Sequence, residues 1–107
     1  ETSVLTRAGD EVTLSCSTMI DGQQQCDGTT WLFTGSGNRA VVELVNLGQI
    51  NQTVNTKADR LKLAANCSLV IKKVREEDVG RYDCQQWKGE DNGAHTLVHD
   101  STVVLSV

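Results

Sequence analysis

Four cysteines, two histidines and a scatter of carboxylates are the groups in this 107-residue chain that could do chemistry. Cys16, Cys26, Cys67 and Cys84 stand 10, 41 and 17 residues apart, with no C-x-x-C pair among them. Zinc sites draw their ligands from closely spaced pairs, so this pattern predicts two disulfides and an oxidising compartment. Four cysteines permit three connectivities, and spacing alone leaves the choice open. His95, His99, Asp91 and Asp100 have the look of a ligand set. On a strand, however, four residues separate two side chains by about 13 Å, too far for one metal ion, so neither a metal nor another cofactor is expected. Nothing supplies a nucleophile with a base and an orienter: G-x-S-x-G, a glycine-rich phosphate loop and a spare thiol are all missing, and an enzyme is not expected. Two N-x-[ST] sequons, at Asn51 and Asn66, are candidate glycosylation sites, although an oxidised Cys67 next to Asn66 would hinder transfer.

The elements that must position these groups are strands. Only four residues are aromatic, so the core has to be filled by Val, Leu and Ile, a mix that favours extended structure. Val12, Leu14 and Cys16 share one parity, as do Leu69 and Ile71, Tyr82 and Cys84, and Val103, Leu105 and Val107. Each set gives a strand with one apolar face. Trp31 to Phe33 and Val41 to Val45 read as two more strands around the turn-forming run Gly35-Ser36-Gly37-Asn38. Lys72 to Asp78 fits a single helical turn. The net charge of −4, with no basic cluster, argues against a nucleic-acid groove or an anionic-membrane patch. The length suits one domain, residues 1–107. There is no apolar run of the roughly 18 residues a membrane helix needs, and both ends are strand-like, so a leader, stalk, membrane anchor or cytoplasmic tail is expected outside this sequence.

Asp78-Val79-Gly80-Arg81-Tyr82-Asp83-Cys84, a D-x-G-x-Y-x-C run, resembles the F-strand signature of immunoglobulin domains. Gly9 to Cys16 resembles strand B, and Trp31 completes the Cys…Trp…Cys framework. The resemblance covers the whole chain. It implies an all-β, V-type immunoglobulin sandwich of Greek-key topology with two antiparallel sheets. Strand C″ would run from about Gln49 to Thr56, D from Asp59 to Leu63 and G from Leu97 to Val107. It also implies that Cys16 pairs with Cys84 beside Trp31, leaving Cys26 and Cys67 as the second bridge. Tyr82 would form a tyrosine corner, Gly80 would supply a turn, and Arg60 would pair with Asp78 to close the base of the sandwich.

Strand G lacks the F-G-x-G-T joining segment of rearranged antigen receptors. The stretches Thr30 to Gly35, Glu43 to Ile50, Asp59 to Leu61 and Asn66 to Ile71 instead resemble the first domain of innate receptors of bony fish, in particular the diverse immunoglobulin domain-containing proteins. That resemblance implies a non-catalytic ligand-binding domain on the extracellular side of the plasma membrane, or secreted. Its partner would be a protein ligand or a second copy of itself, with lipid headgroups as a further reading. The expected partner surface is the G-F-C-C′ face with an F–G loop from Gln86 to Thr96. It centres on Leu32, Val42, Glu43, Trp87 and a tip containing Lys88, Glu90, Asp91 and Asn92. Both sequons are expected on or beside the opposite A-B-E-D sheet, where a glycan would exclude partners.

Overall fold

The computed structural model of the protein describes residues 2–16, 26–35, 40–51, 58–64, 66–89 and 94–107. Within them the chain runs through nine strands: β1 (Thr2–Leu5), β2 (Val12–Leu14), β3 (Thr29–Gly35), β4 (Val41–Asn46), β5 (Gln49–Ile50), β6 (Leu61–Leu63), β7 (Leu69–Ile71), β8 (Gly80–Gly89) and β9 (His95–Ser106). Two short 3-10 turns, Ala58–Arg60 and Glu76–Asp78, lead into β6 and β8. The strands form a six-stranded sheet, β1-β9-β8-β3-β4-β5, facing a three-stranded sheet, β2-β7-β6.

Alternation explains which residues fill the space between the sheets. Leu14, Trp31, Leu69, Ile71, Tyr82, Cys84, Val103 and Leu105 lie at inward positions and are all buried. In the β3–β8 ladder Trp31 stands opposite Cys84 and Phe33 opposite Tyr82, so the two largest inward pairs share one layer. The Phe33 and Tyr82 rings lie 4.7 Å apart at 34°. Disulfides join Cys16 to Cys84, with Cα atoms 5.7 Å apart, and Cys26 to Cys67, with Cα atoms 5.5 Å apart. The first crosses the core between the sheets. The second is tied to it through Trp31, whose indole N–H donates to the Cys67 carbonyl at 3.1 Å. Gln86, fully buried, accepts from the Thr29 hydroxyl at 3.1 Å and turns its amide N–H toward the sulfur of Cys16 at 3.0 Å. A polar side chain thus survives in the core because its hydrogen-bonding groups are met.

The base of the sandwich is closed by charge. Arg60 grips Asp78 through two parallel bonds of 2.8 and 3.0 Å, and both side chains are almost wholly buried. The guanidinium also donates to the carbonyls of Lys72 and Lys73, while Asp78 accepts from the Arg75 backbone N–H. The hydrogen bond to Asp78 raises the Arg60 pKa against the opposing effect of burial, so the guanidinium stays ionised. Removing Arg60 would leave Asp78 buried without its cation, and removing Asp78 would leave Arg60 only the exposed Glu77 carboxylate at 3.6 Å, a loss of roughly 3 kcal/mol in either case.

Four expectations need correction. Strand β1 lies parallel to β9 at the edge of the six-stranded sheet instead of joining the other sheet, which makes that sheet mixed. Asp59 and Arg60 belong to a 3-10 turn, and the strand after it begins at Leu61; the turn is what swings Arg60 under the sandwich toward Asp78. Gly80 is the first residue of β8, not a turn residue. Its φ is +153°, and a Cβ there would run into the Thr34 carbonyl and the Phe33 ring, so the glycine permits close approach of β3. Strand β9 begins at His95 and β8 reaches Gly89, so the connection between them is much shorter than Gln86 to Thr96. For C″, only Gln49–Ile50 is a strand among the described residues; positions 52–57 lie outside them.

Tyr82 is the sole tyrosine of the chain, and its hydroxyl donates to the Asp78 carbonyl at 2.6 Å. Burial, with a further contribution from the Asp78 charge, lifts its pKa far above the ordinary phenol range, although Arg60 pulls the other way. A pKa raised in the folded state contributes stability that is complete below the unfolded value of about 10 and is lost as the pH rises above it. In an alkaline titration, phenolate absorbance is therefore expected to appear only together with the loss of β-sheet circular dichroism. Phenolate forming at pH 10 in a still-folded protein would contradict the buried corner.

Candidate functional site

The outer surface of the six-stranded sheet is built by the same alternation that fills the core. With Trp31 and Phe33 turned inward, Thr30, Leu32 and Thr34 face out; with Cys84 and Gln86 inward, Asp83, Gln85 and Trp87 face out. On β4, Glu43 is the partner of Leu32 and shares its side of the sheet. Toward the upper end of this surface a groove of about 260 Å³ is lined by Leu32, Glu43, Gln85, Trp87 and His95, with Thr30, Asn46 and Leu47 completing its walls.

Irregular backbone shapes the groove. The β3–β4 register shifts between Trp31 and Leu32, so Leu44 and Val45 are consecutive and both buried, and Glu43 is re-aimed outward beside Leu32. A second shift between Gln86 and Trp87 sets Trp87 opposite Leu97 and leaves Leu97 and Val98 both exposed, at 41% and 50%. Leu47 and Gly48 turn the β4–β5 hairpin with φ of 46° and 88°, the pair of positive values that a two-residue hairpin with matching twist demands. A leucine pays for that conformation where asparagine or glycine would not. It is held there by hydrogen bonds from the Leu47 N–H to the Thr30 hydroxyl and from the Gly48 N–H to the Thr29 carbonyl. Trp87 is anchored in turn by its backbone N–H on the Gly28 carbonyl at 2.7 Å.

Below the groove the same surface is self-neutralised. Arg81 Nε reaches Asp83 at 3.1 Å, and the Thr102 hydroxyl donates to the same carboxylate at 2.7 Å. Within the groove the situation differs: among the described residues, the Glu43 carboxylate, the Gln85 amide and the Trp87 indole N–H have no partner inside the domain.

Of the residues expected at the partner surface, Leu32, Glu43 and Trp87 meet in the groove. Val42 does not. It is the partner of Phe33, and it packs against the core from a half-buried position; adjacent strand residues cannot both face outward, and Val41, exposed at 60%, takes the outer place. Lys88 is exposed near the end of β8, while Glu90, Asp91 and Asn92 lie outside the described residues. Asn51 directly follows β5, so that sequon sits at the edge of the six-stranded sheet and not on the opposite one; Gln52 and Thr53 lie outside the described residues. Asn66 is exposed in the turn before β7, where its side-chain carbonyl accepts from the Ser68 N–H at 3.3 Å. The bulge in β9 divides the two histidines, His95 lining the outer groove and His99 standing opposite the inward Gln86. Sequence reasoning passed over Gln85, Leu47 and the buried Gln86. The outward parity of Gln85, one residue past Cys84, was available to find the first.

The chain belongs to the immunoglobulin V-set family. The family model, immunoglobulin V-set domain, matches residues 1–106. Among solved structures, murine CRIg superposes with a TM-score of 0.70 at 17% identity, over 98% of this chain and 91% of that one. In all, 1353 solved chains match, so the likeness identifies a widely shared fold and carries no ligand with it. No curated protein sequence matches the chain. V-set domains are typically extracellular recognition modules, and two disulfides suit that setting. No helix among the described residues is long and apolar enough to cross a membrane.

The placement of β4 is open to a direct check. Val42→Asp is expected to lower stability in urea by roughly 2 kcal/mol, because it drives a carboxylate against the core, while Val41→Asp should change it by less than about 0.5 kcal/mol. Equal effects would mean that the β3–β4 register is wrong.

Proposed function

We propose that this V-set domain is the extracellular ligand-recognition unit of a cell-surface innate immune receptor of the bony-fish type, binding through the outer surface of its six-stranded sheet without chemistry of its own. The observation that carries this reading is the convergence of Leu32, Glu43 and Trp87 on one groove, with polar groups that have no partner among the described residues beside an aromatic anchor. Tryptophan in such a setting is among the commonest hot-spot residues, and rigid aromatic area flanked by adaptable polar groups is how paratopes bind. In the stretches Thr30 to Gly35, Glu43 to Ile50, Asp59 to Leu61 and Asn66 to Ile71 the chain resembles the diverse immunoglobulin domain-containing proteins. A protein ligand is the partner we favour.

A second reading, self-association through the same surface, is supported by the exposed Leu97 and Val98 beside Trp87, which extend the apolar area beyond the groove. Lipid headgroups are a third class of ligand for the same groove. The decisive comparison is Trp87→Ala against Lys62→Ala, a control on the opposite sheet, each presented as a tetramer to host leukocytes and run in parallel by sedimentation across concentration. Trp87→Ala is expected to reduce staining or self-association at least ten-fold, equivalent to about 1.4 kcal/mol, with a thermal midpoint within about 2 °C of the parent. A variant that binds normally but melts several degrees earlier would make Trp87 a packing lid and overturn the assignment.

A further inference from the structure

We infer that the groove is a socket for a single basic side chain, arginine or lysine, projecting from a protein partner. The inference rests on the reading of this surface as the recognition surface and adds the chemistry of what it takes. The charge pattern is its basis. Asp83 is already matched by Arg81 and Thr102, whereas Glu43, half-buried beside Leu32, has no cation or hydrogen-bond donor within the domain among the described residues. Among the described residues no lysine or arginine lines the groove, and Asp100, the outward partner of Gln85, adds a second carboxylate to the same side of the sheet. A carboxylate held against apolar neighbours favours an occupant that brings a positive charge and donors together.

The walls fit the rest of such a side chain. Leu32 and Leu47 offer apolar surface to a methylene stem, Trp87 adds an aromatic wall beside the cation, and the Gln85 amide oxygen is a further acceptor. The groove's volume of about 260 Å³ admits one long side chain. Arginine is the better fit of the two, since a planar guanidinium can stack on the indole while donating to Glu43. The aliphatic stem and the acceptors around it favour a peptide side chain over the compact cation of a choline headgroup, which has no N–H to donate.

The test uses N-acetyl-L-arginine methylamide as the probe and its citrulline counterpart, a neutral isostere, as the control, followed through the two tryptophan indole N–H signals of the intact domain. The arginine probe is expected to shift the Trp87 signal saturably and leave Trp31 unmoved, with affinity falling at least five-fold in Glu43→Gln and again in about 0.5 M salt. Citrulline should produce at least a five-fold weaker response. Equal responses to the two probes, or an unchanged affinity in Glu43→Gln, would overturn the inference. So would a Trp87 shift caused by phosphatidylcholine vesicles and not by the arginine probe, which would identify a lipid cation instead. The two readings fail separately: if Trp87→Ala removes leukocyte staining while Glu43→Gln stains like the parent, the recognition surface stands and the basic-side-chain inference falls.

Discussion

Everything on the outer surface of this domain depends on the register between β3 and β8. Trp31 opposite Cys84 and Phe33 opposite Tyr82 fix that register from the inside, because a one-residue slip of either strand would expose its own inward pair and bury Leu32, or Asp83 and Gln85, in their place. The Cys16–Cys84 bridge and the buried Gln86 beneath it add covalent and polar constraints to the same layer. Leu32, Gln85 and Trp87 therefore face outward as a consequence of how the core packs. The proposed recognition surface is the reverse side of the most tightly constrained layer of the core.

The two ends of the sandwich are built differently, and the difference suits their roles. At the base, Arg60, Asp78, Tyr82 and Arg75 form a closed hydrogen-bonded system in which every charged or polar group shown has a partner. At the other end, irregularities accumulate: two register shifts, a leucine held in left-handed conformation, and polar groups without partners among the described residues. Strain and unmet hydrogen bonds are tolerated where the surrounding ladders over-determine the backbone. In this domain they surround the groove, and the three side chains that line its centre stand on strands, not on loops.

The fold was legible because its determinants are local. A D-x-G-x-Y-x-C run, a tryptophan between two cysteines and period-two alternation each speak through a few adjacent residues, and β2, β3, β7, β8 and β9 follow from them. What escaped was set by pairing between distant segments. Nothing near Trp31 announces the shift that buries both Leu44 and Val45, so Val42 was placed on the wrong side. The parallel pairing of β1 with β9 likewise depends on an edge 101 residues away, from Thr2 to Val103. Gly80 was recognisable as a required glycine but not for its reason, since the Phe33 ring and the Thr34 carbonyl that demand it belong to another strand. Of the groove, the outward parity of Leu32 and the position of Trp87 were readable, whereas Leu47 entered through hairpin geometry that no residue in Asn46-Leu47-Gly48-Gln49 except the glycine signals.

The most direct test of the recognition surface is to cover each sheet in turn with a glycan. Leu32→Asn completes an N-x-T sequon with Thr34 in the middle of the six-stranded sheet, and Glu11→Asn completes one with Thr13 on the exposed side of β2 in the three-stranded sheet. Both proteins, made in glycosylating cells and shown by mass to carry the added glycan, can be compared as tetramers for leukocyte staining. The glycan at position 32 is expected to abolish staining and the one at position 11 to leave it at the parent level. Staining that survives the first glycan and is lost with the second would place recognition on the opposite sheet and contradict the assignment.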